Sequence, residues 1–379
     1  MDLSHEDSLR LHVLLASQPL AIRIDEGRMR VQGLTERGES SVQLNPNTAP
    51  ERYLRQVREL ISGQVLGSPG GYPVYLSRWT RLGQMRDESL AQLLLLGEPE
   101  AVVAAVGSPG LTDELARRAW WAMEEAGNAR RMLANARVRD GRMGPVLAEY
   151  LLQYLPFETD SEAMMESVRL ILQPGLLDAE RRSDLWKRSA RKPAWLVGFL
   201  RAGFDDWPEP VPGRARPESL TSLLDADDPV VHLFARLHTP AGQGYLKTVA
   251  RILDKPPNQD VLLAVLDCLR TTFAPLRPEG DPNLGLEALS RDAEAVLSGD
   301  ALDPRLLERM RDCSDCLHDL QAMRFLSGVG YALIRPLLSD PTTQGTLMRR
   351  KLAPVLDAIL NRIDGLMGRS NGQGATTRS

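Results

Sequence analysis

Aromatic residues make up only 5% of the 379 residues, and cysteine occurs three times. Three cysteines cannot pair completely, so a secreted disulfide framework is excluded and a reducing compartment is expected. No apolar run approaches the roughly 18 residues that a membrane helix needs. The richest stretches, Leu93 to Leu96 and Val261 to Leu269, are short or carry Asp267. An excess of charge is missing as well. With 46 basic and 50 acidic residues the formal net charge is -4, which gives no whole-chain attraction to nucleic acid or to an anionic membrane. The opening MDLSHEDSLRLHVLLASQPL has acids where a secretory signal needs positive charge, and Arg10 and His12 break its apolar run. The expectation is a cytoplasmic protein with no membrane insertion and no double-stranded DNA signature.

Catalytic spellings are absent too. Gly67-Ser68-Pro69-Gly70-Gly71 lacks the following Lys-Ser or Lys-Thr of a P-loop and is not GxGxxG. His5, His12, His232, His238 and His318 form no HExxH, and no GxSxG elbow occurs. Asp225, Asp227 and Asp228 precede a helix and read as caps, with an Mg²⁺ site as the lesser alternative. These absences lead to the expectation of a non-enzymatic protein without a cofactor.

What is present changes period along the chain. Ser4 followed by Asp7 opens a short helix to about Gln18. Apolar residues then alternate at Leu20, Ile22 and Ile24, at Met29 and Val31, and at Val42 and Leu44, with Asp25-Glu26-Gly27 and Glu36-Arg37-Gly38 as turns. This predicts a three-stranded antiparallel meander. Pro50 starts a helix whose stripe Leu54, Val57, Leu60 and Ile61 covers the sheet. From about residue 88 the pattern is helical throughout, in short runs parted by Gly or Pro. Pro109-Gly110-Leu111 echoes Pro174-Gly175-Leu176 at an offset of 65, with Trp121 and Trp186 in register, which suggests a HEAT-like helical array. The predicted class is mostly α. A small N-terminal α+β module over 1–66 and a linking segment over 67–87 precede a helical-repeat-like domain over 88–206. A Pro-rich linker over 207–217, a C-terminal helical domain over 218–367 and an unstructured tail over 368–379 complete the chain. Within the C-terminal part, Asp303-Pro304 predicts one long helix to about Leu338, bent near Pro336. A last amphipathic helix is marked by Leu352, Leu356, Ile359, Leu360, Ile363 and Leu366.

Two stretches are candidate partner contacts. The first mixes Tyr72, Tyr75 and Trp79 with Arg78, Arg81 and Arg86, suited to stacking and holding an anionic ligand such as RNA. Its plainer alternative is a clasp in which arginine stems lie across buried rings. The second is the densest basic cluster, Arg181, Arg182, Lys187, Arg188, Arg191 and Lys192, interleaved with Trp186 and Trp195. Arg117, Arg118, Arg130 and Arg131 form a further basic group. Such a surface meets RNA or an acidic protein; its plainer alternative is a solvated helix face.

Cys313-Ser-Asp-Cys316 has the CxxC spelling of a dithiol redox pair or half a zinc site. Cys313, Cys316, Leu317, Leu320 and Met323 nevertheless share one helical face, which makes both sulfurs core residues and leaves this pair a weak redox candidate. A zinc site would also need Cys268 and His318 alongside.

The strings LGSPGGYPVYLSRWTRLGQ, LTDELARRAWWAM and GRMGPVLAEYLL resemble the DsrS family, the S proteins of the dissimilatory sulfite reductase gene cluster of sulfur-oxidising bacteria. The similarity covers most of the chain and is weakest after about Pro208. It implies a cytoplasmic accessory or regulatory role in sulfur oxidation, through a protein partner of that system or through RNA. None of the strings carries a mechanism, so no functional residue transfers with it. The alternative reading is a thiol- or metal-dependent sulfur-handling protein using Cys313 and Cys316.

Overall fold

The structure, a computed structural model, describes residues 3–73, 87–205, 207–209, 211–216, 228–298, 314–337 and 345–369. It is mostly α, with one small antiparallel sheet near the N-terminus flanked by helices. The chain divides into two compact units, one of residues 1–157 with 173–177, the other of 158–172 with 178–379.

In the first unit, α1 (His5–Ala16) starts where the Ser4 hydroxyl accepts the Asp7 N–H at 3.2 Å. Strands β1 (Ala21–Asp25), β2 (Arg30–Thr35) and β3 (Gly38–Gln43) pair in that order as a meander. Ile24 faces Val31, and Val31 faces Val42. Helix α2 (Pro50–Leu66) carries proline in its first turn and stops at Gly67, whose φ of 66° is the left-handed cap that glycine adopts without strain. Leu54, Val57 and Ile61 close a core with Leu11, Leu14, Ile22, Val31 and Val42. Asp7 is wholly buried there, accepting from the Tyr53 hydroxyl at 2.5 Å and the Asn45 N–H at 2.7 Å.

The sheet is joined directly to the helices that follow it. The Ile22 N–H donates to the Leu94 carbonyl at 2.9 Å. After α3 (Asp87–Leu93) come α4 (Pro99–Val106), α5 (Asp113–Ala122), α6 (Ala126–Ala134), the short α7 (Ala136–Arg139) and α8 (Met143–Tyr154). Trp121 of α5 donates to Glu39 of β3 at 2.6 Å, and Arg23 of β1 stacks on that indole 4.5 Å from its centroid. The helices from α4 to α8 therefore belong with the sheet in one unit. Asp113 caps the remote start of α8, accepting the Arg142 and Met143 N–H groups at 3.1 and 2.9 Å.

The second unit contains α9 (Ser161–Ile171), α10 (Ala179–Ser189), α11 (Pro193–Ala202), α12 (Pro229–Leu237), α13 (Pro240–Asp254) and α14 (Gln259–Thr272). Then follow α15 (Leu286–Ser298), α16 (Ser314–Ser327), the short α17 (Tyr331–Ile334) and α18 (Gly345–Leu366). Local caps start many of them: Asp160, Asp178, Thr239 and Asn258 each accept a first-turn N–H. Gly198 lets α11 lie on α9, since a Cβ there would stand 2.4 Å from the Val168 Cβ. The predicted face of α18 is inside, with Leu352, Leu356, Ile359, Leu360, Ile363 and Leu366 all buried.

Several expectations change. Pro109-Gly110-Leu111 and Pro174-Gly175-Leu176 do occupy matching helix corners, with Leu111 and Leu176 buried, but Trp121 binds Glu39 whereas Trp186 stacks on Phe199. The segment 207–217, read as a linker, is packed into the second unit where it is described. Trp207 sits edge-on between Trp186 and Tyr245, and Arg214 forms an ion pair with buried Asp319 at 2.8 Å. The helix predicted to continue to Leu338 ends at Ser327. Gly328 follows its last residue and Gly330 precedes the next helical turn, two glycines that disfavour a continuous helix; the predicted start at Asp303-Pro304 lies outside the described residues. Gly368 and Arg369, expected to open an unstructured tail, bond back to the end of α18, and the rest of that segment, 370–379, lies outside the described residues.

Candidate functional site

The predicted candidates fall in three places. Tyr75, Arg78, Trp79, Arg81 and Arg86 lie outside the described residues. Tyr72 does not, and its described surroundings are backbone hydrogen bonds. The Gly71 N–H donates to the Ser62 hydroxyl at 2.8 Å, and the Tyr72 N–H donates to the Glu98 carboxylate at 3.0 Å. Gly71 has a φ of +59°, and a Cβ at that position would stand 2.0 Å from Glu98, so a glycine is required for the carboxylate to reach in. Beside it opens a cleft of about 540 Å³ edged by Arg55, Arg58, Glu59, Tyr72, Glu98 and Glu100. Arg58 is committed to Glu26 in an ion pair, and acids outnumber bases around the rim.

The second cluster is on α10 and the turn after it. Arg181 approaches Asp178 at 3.8 Å and Arg188 approaches Asp184 at 3.8 Å, both at the surface. Lys187 and Arg191 are exposed and have no ion-pair partner among the described residues. The two tryptophans have different duties from the ones a stacking surface needs. Trp195 is buried, with the Arg188 guanidinium 5.6 Å and the Lys192 ammonium 4.0 Å from its ring centroid. Trp186 packs edge-on against Phe199 and Trp207 at 5.0 and 5.2 Å. Trp195 is thus covered and Trp186 half-buried with its edge engaged, and what this face offers outward is mainly positive charge: six basic side chains against three acidic ones between residues 178 and 192.

The arginines at 117 and 118 are not available in the same way. Both hold Glu114, and the Arg117 hydrogen bonds bring that carboxyl down to about 2 despite some opposing burial, with Arg118 adding to the effect.

Cys313 lies outside the described residues. Cys316 is buried, as the helical face requires, but it is disulfide-bonded instead of a free thiol. Cys268 is a free, buried thiol that burial pushes up to about 12, with Arg201 opposing. Leu320 and Met323 share the buried side of α16 with Cys316. No cluster of three or more His, Cys, Asp or Glu suited to a metal ion occurs among the described residues. Asp228 caps α12, accepting the Val230 N–H at 2.8 Å; Asp225 and Asp227 lie outside the described residues.

Sequence reasoning missed one ionic assembly. Arg277 and Arg324, both nearly buried, share Asp292 and Glu279, with Arg324 also donating to the Leu276 carbonyl at 2.5 Å. Its members are scattered over 48 residues of sequence, and no local spacing marks them. It ties the turn before α15 to α15 and α16.

No family model, no curated protein and no solved structure matches the chain. Among the described residues, no helix is long and apolar enough to cross a membrane.

Proposed function

We propose that the chain is a non-catalytic, cytoplasmic accessory or regulatory protein of bacterial sulfur oxidation, akin to DsrS, that works by binding an acidic protein partner. The sulfur-oxidation setting rests on the resemblance of its three sequence strings to that family. The mode of binding rests on the α10 face, where Lys187 and Arg191 are exposed and have no ion-pair partner among the described residues, while Trp195 is buried and Trp186 half-buried against Phe199 and Trp207. Single-stranded RNA recognition draws much of its affinity from stacking bases on open rings. With the rings underneath, the surface provides point charges for carboxylates, at rim-type energies that steer and orient a partner.

The test is complementation joined to capture. A deletion strain of a sulfur-oxidising bacterium is supplied with the wild-type chain or with Lys187→Glu and Arg191→Glu together, and sulfur oxidation is measured. The double variant is expected to fold normally, to fail in complementation, and to lose a protein that the wild type retains after nuclease treatment. Full complementation by the variant overturns the reading, and a nuclease-sensitive catch assigns the surface to RNA.

One observation favours a second reading, a thiol-based sulfur-handling role. Cys316 is disulfide-bonded, and a disulfide in the reducing compartment expected here is characteristic of redox chemistry more than of structural bracing. Thiol counting on native protein, before and after mild reductant, decides it. If no thiol near Cys316 becomes reactive and elemental analysis finds no metal, the thiol role is lost.

A further inference from the structure

Helix α8 and the short 3₁₀ turn that extends it, Leu155–Phe157, carry an outward stripe at helical spacing: Val146, Tyr150, Tyr154 and Phe157. Val146 is 48% exposed, Tyr154 37% and Phe157 74%, in a chain where most large apolar side chains are inside. The stripe is ordered from below. Tyr150 meets the Trp120 ring edge-on at 4.7 Å, and Tyr150 and Tyr154 stack with their planes 7° apart and centroids 5.9 Å apart. Contiguous exposed aromatics that are already fixed in place mark interaction surfaces, because they bury much area on binding and lose little side-chain freedom.

The charge around the stripe selects the partner. Tyr150 donates toward the Glu124 carbonyl, and its phenol, raised first by burial, is raised further by Tyr154, Glu124 and Glu125, which puts both carboxylates within electrostatic reach. Glu149 lies beside Tyr150 on α8, and Arg142 stands at the other end of the helix, before Val146. Nucleic acid and anionic lipid are repelled by that rim. A cationic segment is drawn to it twice, by the carboxylates and by the electron-rich faces of the tyrosine rings. The stripe runs about 16 Å, three turns at 1.5 Å per residue, the length over which a short helix packs its own apolar ridge.

We propose that this face docks a cationic amphipathic helix of a partner protein, with the apolar side on Val146, Tyr154 and Phe157 and lysines or arginines toward Glu124 and Glu125. It is a separate surface from the basic α10 face and does not depend on it.

The experiment uses the full chain and a labelled Leu/Lys amphipathic peptide, with two controls: a scrambled peptide of the same composition and a Leu/Glu peptide of the same pattern. Fluorescence anisotropy is expected to show saturable binding of the amphipathic cationic peptide only. Tyr154→Ser with Phe157→Ser is expected to weaken it at least about tenfold, with circular dichroism unchanged. Glu124→Gln with Glu125→Gln is expected to weaken it less and to flatten its salt dependence. Lys187→Glu with Arg191→Glu leaves it unchanged, which separates this surface from the one on α10. Equal binding of the scrambled peptide, or unaltered binding to the Tyr154/Phe157 variant, overturns the proposal. So does preferential binding to vesicles containing phosphatidylserine.

Discussion

His238 is the residue whose protonation matters most to the second unit. Its Nδ1 donates to the Phe234 carbonyl at 3.0 Å, and its Nε2 is buried without a hydrogen-bond partner, so a proton placed there would have no acceptor. Burial pushes the imidazole below its ordinary 6.5, with the Phe234 carbonyl and Asp319 opposing and Arg214 and Arg216 adding to the fall. The unfolded chain therefore takes up a proton that the folded one refuses, and stability falls as pH drops from about 6.5 toward the depressed folded value. His238→Gln is expected to flatten that slope in denaturant titrations at successive pH values while lowering the midpoint at neutral pH. A slope unchanged in the variant would assign the effect elsewhere. Single residues were readable from sequence where the interaction is local: Ser4 caps α1 through Asp7, three residues on. The same Asp7 has its strongest partner in Tyr53, 46 residues away. Nothing in the local pattern foretells a buried carboxylate there.

At the scale of elements, periodicity carried far. The meander of β1, β2 and β3, the covering stripe of α2 and the inner face of α18 all follow from residues spaced two, three or four apart. Where an element ends was less legible: α16 stops at Ser327, before Gly328 and Gly330, rather than running on to Leu338. The basic cluster on α10 was visible as charge, but the covering of Trp186 and Trp195 depends on Phe199, Trp207 and Lys192, which only the fold brings to them. The aromatic stripe of α8 was present in the spacing of Val146, Tyr150, Tyr154 and Phe157 and was passed over, since an apolar stripe on a helix ordinarily faces a core. Close helix approach gives a sharp expectation here. Gly198→Ala forces Val168 and the Met165 carbonyl aside where α11 lies on α9, and is expected to cost about 1–3 kcal/mol. Thermal unfolding of the variant measures it. The same change at Gly175, where no atom lies within 4 Å but φ is +82°, costs only the backbone strain.

At the scale of the whole molecule, the Arg277, Arg324, Asp292 and Glu279 assembly is a large polar commitment among the described residues, and it belongs entirely to the second unit. Burial pushes the Asp292 carboxyl up, but Arg324 and Arg277 outweigh it and hold the group below its ordinary range. The stability this supplies is complete above the ordinary carboxylate value and is lost as pH falls through the depressed one. Arg324→Met leaves two carboxylates to one guanidinium and the Leu276 carbonyl without its donor, and is expected to cost about 3–5 kcal/mol. Hydrogen exchange should then rise in α15 and α16 and stay unchanged in the sheet of the first unit. That sheet has a consequence of its own. β3 is its outer strand, and a free strand edge invites a second molecule to add on and aggregate. Here the edge reads Gly38-Glu39-Ser40-Ser41, short and polar, and Glu39 is anchored in place by Trp121 and Arg23. The indole that fastens a helix to the sheet thus also holds a charged side chain on the strand where a second copy would add, which guards that edge against strand-to-strand pairing.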